Sequence, residues 1–141
     1  MGNAREEQTA SRCMDRLRKL GQAFNAYAAD NDGLYPPAPI WVDALVKYAA
    51  KKDPEEQSES VFRCPVISAM RTGEYGYAMN DTLSRIKKGA ANLPLIFDSD
   101  LMKRNAHSGL ESLPNPPRHR NARENFAVFE DGTVGAVTRG K

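Results

Sequence analysis

Between Met14 and Ala28, apolar side chains recur at steps of three and four: Met14, Leu17, Leu20, Gly21, Phe24, Tyr27 and Ala28. That spacing draws one stripe along a helix, while Asp15, Arg16, Arg18, Lys19, Gln22 and Asn25 fall mostly on the other side. The pattern predicts a helix over 4–30 that packs along one face only. Asn31-Asp32-Gly33 offers a glycine able to take positive φ at the helix end, and Pro36 and Pro37 forbid continuation. An extended, proline-rich connector is expected over 34–40. A second, shorter helix is expected over 41–50, with Trp41, Leu45 and Tyr48 or Ala49 on one face.

Beyond a charged stretch at 51–60 the period changes from helical to alternating. A short extended segment at 61–65 ends at its proline. Tyr75, Tyr77 and Met79 share one face of a strand predicted over 74–80, and a helical turn is expected over 82–88, ended by Gly89. Leu93-Pro94-Leu95-Ile96-Phe97-Asp98 reads as a buried strand with Pro94 near its start. Segment 102–118 carries Gly109, Pro114, Pro116 and Pro117 and reads as a long loop. In 125–137, Phe126, Val128 and Glu130 alternate with Ala127, Phe129 and Asp131, and Asp131-Gly132 marks a hairpin turn. The sum is an α+β domain: one long helix packed on a small antiparallel sheet of about three to four strands, plus a second short helix. The whole chain, 1–141, reads as one domain, with the helix at 4–30, connector and short helix at 34–60, and sheet and loops at 61–141.

A chain of 141 residues, 40% apolar, is enough for one packed core. Its 20 basic and 18 acidic residues leave a net charge of +2, which does not make the basic footprint of a nucleic-acid binder. Apolar runs such as 93–97 are far shorter than the roughly 20 residues that span a bilayer.

Catalytic chemistry needs convergent groups, and the motifs that announce them do not occur. His107 and His119 are the only histidines; there is no Gly-x-Ser-x-Gly elbow, no glycine-rich phosphate loop and no zinc-ligand spacing. Cys64 beside Pro65 has no base placed for it. Asp98-Ser99-Asp100 closes a strand with two carboxylates two residues apart, the type of oxygen donor that calcium collects from loops. Asp98 and Asp100 are therefore the metal-site candidates, with a turn role for Asp98 and a solvated Asp100 as the alternative. Asp30 and Asp32 form a similar pair with a turn role. Cys13 and Cys64 either pair, in an oxidising compartment, or pack as reduced thiols.

Several of these segments together carry a resemblance. Cys13, Leu17, Arg18, Lys19, Leu20, Gly21, Tyr27, Asp30, Asn31, Asp32, Gly33, Tyr35 and Pro36 match a run that recurs in a prepilin-like family related to the type II secretion pseudopilins, and Ala4-Arg5-Glu6 resembles the residues that follow its membrane span. Phe62-Arg63-Cys64-Pro65, Tyr75-Gly76-Tyr77-Ala78-Met79-Asn80 and Asp98 look like the family in the same order. Arg118-His119 followed by Asp131-Gly132 is similar to its C-terminal His…Asp-Gly signature. Eleven residues separate His119 from Asp131 where the family has nine, and Thr133 stands where a second histidine is common.

The resemblance implies a pilin-like fold and a structural, non-catalytic role in a type II secretion or type IV pilus-like filament. Its implied partners are other pseudopilin subunits and secretion-system components. It also implies attachment to the inner membrane through an apolar helix preceding residue 4 and missing here, with Met1-Gly2 in its place, and a periplasmic location for this soluble head. Calcium is the one cofactor it suggests, since major pseudopilins hold calcium in a loop near the sheet. A second reading is a ligand- or carbohydrate-binding module that uses Trp41, Tyr75 or Tyr77 as a stacking platform. A third is a small hydrolase using His119 with Asp98 or Asp131.

Overall fold

A computed structural model describes residues 2–49, 62, 75–87, 92–101, 103–114 and 124–137. The expected loop at 51–60, Cys64 and His119 lie outside the described residues. Helix α1 runs unbroken over Gly2–Asp30, and α2 covers Trp41–Ala49. The strands are β1 (Tyr77–Asn80), β2 (Pro94–Asp98), β3 (His107–Ser108), β4 (Asn125–Phe129) and β5 (Val134–Val137). Among the described residues no helix is long and apolar enough to cross a membrane.

The buried stripe of α1 comprises Ala10, Cys13, Leu17, Leu20, Gly21, Ala23 and Phe24. Met14, Tyr27 and Ala28, which the spacing also places in the stripe, sit half-buried at its margins, and Cys13 takes a place within it. The helix ends as the turn residues dictate. Ala28 O accepts N–H groups from Asn31 (3.1 Å) and Gly33 (2.8 Å), with Asp32 and Gly33 at φ 60° and 82°. The chain then bridges to the 84–87 segment, Tyr35 N–H donating to Ile86 O at 3.0 Å.

The expected antiparallel sheet of three or four strands is, among the described residues, a mixed sheet of five, in the order β3-β1-β2-β4-β5. β1/β2, β2/β4 and β4/β5 are antiparallel; β3 runs parallel to β1. The added strand comes from the segment read as a long loop, which also holds a 3-10 turn at Leu110–Ser112. The reason is burial. Tyr77, Met79, Ile96, Phe126 and Val128 face α1, but Ala78, Phe97 and Ala127 on the reverse face are apolar too and fully covered. A sheet apolar on both faces needs two covering layers. Ala106 and Leu113 supply the second, with Leu110 packed against them. Pro94 opens β2 at a bulge between Pro94 and Ile96, where a missing N–H costs no ladder bond. The expected helical turn at 82–88 is one 3-10 turn, Asp81–Leu83, capped by Asn80 Oδ1 accepting from Thr82 N–H at 3.1 Å.

Helix α2 is fixed from a distance. Asn105 Oδ1 accepts the N–H groups of Val42 (2.7 Å) and Asp43 (3.3 Å), the work an N-cap side chain usually does from within the helix. Trp41 Nε1–H donates to Ala106 O at 2.7 Å, and its ring stacks on Phe24 and meets Phe62 edge-on.

At Gly21 a Cβ would stand 2.7 Å from Val128 Cγ2, so the helix lies on the sheet at backbone distance. Gly21→Ala is expected to destabilise the domain by about 1–2 kcal/mol, overpacking against β4 exceeding the helix-propensity gain of up to about 1 kcal/mol. Leu17→Asp, which places a charge in the stripe, should remove more than about 4 kcal/mol. Thermal and denaturant melts of both variants measure these effects, and an unchanged melting temperature for Leu17→Asp would refute the packing of α1 on the sheet.

Candidate functional site

Among the described residues, three polar clusters lie within the apolar framework. The first sits beneath α1. Asp98 follows Ile96 on the helix-facing side of β2 and is fully buried. Backbone pairing of β2 with β4 runs to Phe97 and Ala127, and the Asp98 carboxylate takes the next N–H, Phe126 N donating to Oδ2 at 2.8 Å. Cys13 Sγ lies 3.1 Å from Tyr77 Oη and donates a long hydrogen bond of 3.8 Å to Asp98 Oδ1. Helix, β1, β2 and β4 are thus joined by one thiol, one phenol and one carboxylate, all buried.

The second cluster joins the connector to the hairpin. Tyr35 Oη–H donates to Glu130 Oε1 at 2.9 Å, and Glu130 Oε2 accepts Leu93 N–H at 2.8 Å. Glu130 N–H in turn donates to Leu93 O at 3.0 Å. Burial, and then the adjacent Glu130 carboxylate, hold the Tyr35 phenol well above the ordinary tyrosine range. A carboxylate on the apolar face of an alternating strand, after Phe126 and Val128, is the sequence signal for this cluster.

The third lies on the reverse face. Leu101 N–H donates to Ser99 Oγ, Ser99 and Ser112 hydroxyls are 2.9 Å apart, Ser112 and Ser108 2.7 Å, and Ser108 Oγ–H donates to Gly109 O at 2.6 Å. Since Ser108 gives its proton to Gly109, the Ser112 hydroxyl donates to Ser108 and that of Ser99 to Ser112. The chain of hydroxyls runs one way and ties the covering layer to the end of β2. No pattern in the sequence links these three serines.

The metal candidates separate. Asp98 is turned under α1 and committed to Phe126, whereas Asp100 is exposed and its backbone N–H donates to Ser112 O at 2.8 Å. A cation shared by the two would require Asp98 to release a buried N–H. Among the described residues no group of three or more His, Cys, Asp or Glu side chains gathers as a metal site. Asp131 and Gly132 form the predicted turn. Phe129 N–H donates to Thr133 O and Gly132 N–H to Phe129 O, both at 2.8 Å, with Gly132 at φ 90°. Asp131 Oδ1 accepts from Thr133 Oγ1 (2.7 Å) and N–H (3.0 Å), which hold its carboxyl below the usual range. Asp131 is exposed and Asp98 buried. Of the aromatic platform, Trp41 and Tyr77 are each 1% exposed and offer no stacking face; Tyr75 is half-buried against the core. Comparison with family models, curated proteins and solved structures gives no match for this chain.

Asp98→Ala leaves Phe126 N–H buried without its acceptor and should cost about 2–4 kcal/mol, whereas Asp98→Asn, which keeps an oxygen, should cost less. Millimolar calcium is expected to move the melting temperature of the metal-stripped protein by less than about 1 °C; a shift of several degrees, absent with magnesium, would mark a cation site. Tyr35 gives a pH signature. Its pKa is raised on folding, so its contribution is complete below the unfolded value of about 10 and is lost as pH rises beyond it. Melts between about pH 8 and 11 should fall more steeply for the wild type than for Tyr35→Phe.

Proposed function

We propose that this chain is the head domain of a pilin-like filament subunit, a structural part of a type II secretion or type IV pilus-like assembly that acts by packing rather than by turnover. The observation that carries this reading is α1 itself. Its 29 residues reach about 44 Å at 1.5 Å per residue, whereas β2 and β4, the strands it lies along, are five residues each and span only about 17 Å. The sheet therefore covers only part of the helix length. Within the packed part the outer face is polar, with Arg12, Asp15, Arg18, Lys19, Gln22 and Asn25 exposed. A helix attached along one side and longer than its sheet is suited to holding a head on a shared helical core. The ordered run of motifs from Cys13 to Asp131-Gly132 supports the same reading, as does the burial of Trp41 and Tyr77, which removes two rings from a carbohydrate-binding alternative.

The test is photo-crosslinking in cells that make the full-length protein, with a benzophenone amino acid in place of Arg18 or Gln22 on the outer face of α1. Adducts at multiples of the subunit mass, or with other pilin-like subunits, are expected in the membrane fraction. Full-length protein that stays soluble and gives no subunit adducts would overturn the assignment.

A further inference from the structure

Two Asp-Gly pairs, Asp32-Gly33 and Asp131-Gly132, stand in turns with their aspartates exposed. Asp-Gly is open to attack from within the chain, because glycine carries no side chain to shield its nitrogen from the neighbouring carboxyl carbon. In that reaction Gly N bonds Asp Cγ, the amide proton and the carboxyl hydroxyl leave as water, and a five-membered succinimide closes. Water then opens the ring. Breaking the bond from N to Cγ restores aspartate. Breaking the original peptide bond instead leaves the main chain running through the side chain, as isoaspartate. Water is the only co-reactant.

The fold treats the two pairs differently. Asp131 Oδ1 accepts from Thr133 Oγ1–H (2.7 Å) and N–H (3.0 Å), and Asp131 N–H donates to Asn92 Oδ1 at 2.9 Å. The Thr133 bonds hold the carboxylate ionised, whereas the hydroxyl leaves only from a protonated carboxyl. Asp32 has no such restraint. Among the described residues its side chain makes no hydrogen bond and no ion pair. It stands at φ 60°, a left-handed conformation that strains a residue with a Cβ. A Cβ built on Gly33 meets nothing within 4 Å, so the space beside the attacking nitrogen is open. That nitrogen is freed when its hydrogen bond to Ala28 O (2.8 Å) opens, and bonds at a helix end open readily.

We infer that Asp32-Gly33 is a site of covalent modification, at which Asp32 isomerises to isoaspartate through the succinimide while Thr133 protects Asp131 from the same reaction. The product carries one extra methylene in the main chain between Asn31 and Gly33. The bonds from Gly33 N–H to Ala28 O and from Leu34 N–H to Asn31 O (3.0 Å) both span that point. Isomerisation therefore loosens the stop of α1 and the pairing of Tyr35 N–H with Ile86 O just beyond it. The inference does not depend on the filament reading.

Ageing the folded protein for several weeks at neutral pH, followed by tryptic mapping with electron-transfer fragmentation, tests it. Peptide 20–47 should acquire a second form of unchanged mass with isoaspartate at position 32; deamidation of Asn31 would raise the mass. Conversion at 32 should outrun conversion at 131, in peptide 124–139, by at least about tenfold, the factor set by the two Thr133 hydrogen bonds. Thr133→Ala, a change at an exposed turn position, should speed conversion at 131 by a similar factor. Asp32→Asn closes the same ring with ammonia leaving and should isomerise faster, whereas Asp32→Glu would need a six-membered ring and should not isomerise. The aged protein should melt roughly 3–6 °C below the fresh one, a loss that Asp32→Glu escapes. Absence of isoaspartate at 32 under conditions that convert the isolated peptide 20–47, equal rates at 32 and 131, or a Thr133→Ala variant with an unchanged rate at 131 would each overturn the proposal.

Discussion

Helix α1 rests on the sheet at the distance set by Gly21, where even one methyl group would strike Val128. That approach brings Leu17, Leu20 and Phe24 down onto the strands, and each large side chain so buried contributes about 1.5–3 kcal/mol. It also brings Cys13 within reach of Tyr77 and Asp98. Were the helix held farther off, the carboxylate of Asp98 would face a wetter gap, and the joint between β2 and β4 would compete with water.

The polar groups inside the domain act as joints between elements that apolar contact alone would leave free to slide. Asp98 takes over where the β2/β4 ladder stops, Glu130 joins the connector to the hairpin, and Asn105 closes the start of α2 from a distant turn. Each places a side-chain oxygen opposite a backbone N–H that the local secondary structure leaves unmatched. Desolvation makes such groups costly when unpaired, which is why they fix register more sharply than nonpolar packing does. The same commitment keeps Asp98 from solvent and from Asp100, and removes Trp41 and Tyr77 from any exposed platform.

What remains on the outside is directional. One face of α1 is polar along its packed length, and among the described residues β5 is an end strand of the sheet. The helix runs beyond the strands it lies along.

The sequence by itself determined the local elements. The helix and its stop at Asn31-Asp32-Gly33, the short helix at Trp41, the strands around Tyr77, Ile96 and Phe126, and the Asp131-Gly132 turn follow from periodicity and from residues with narrow backbone preferences, which act over a few positions. Tertiary structure decided how those elements meet. The second covering layer, the parallel strand at His107–Ser108, the capping of α2 by Asn105 and the chain of Ser99, Ser112 and Ser108 hydroxyls join residues up to 63 positions apart. No local period encodes such pairings. They arise because the sheet is apolar on both faces and because every buried polar group has to find a partner, and both requirements act only once the chain has folded on itself.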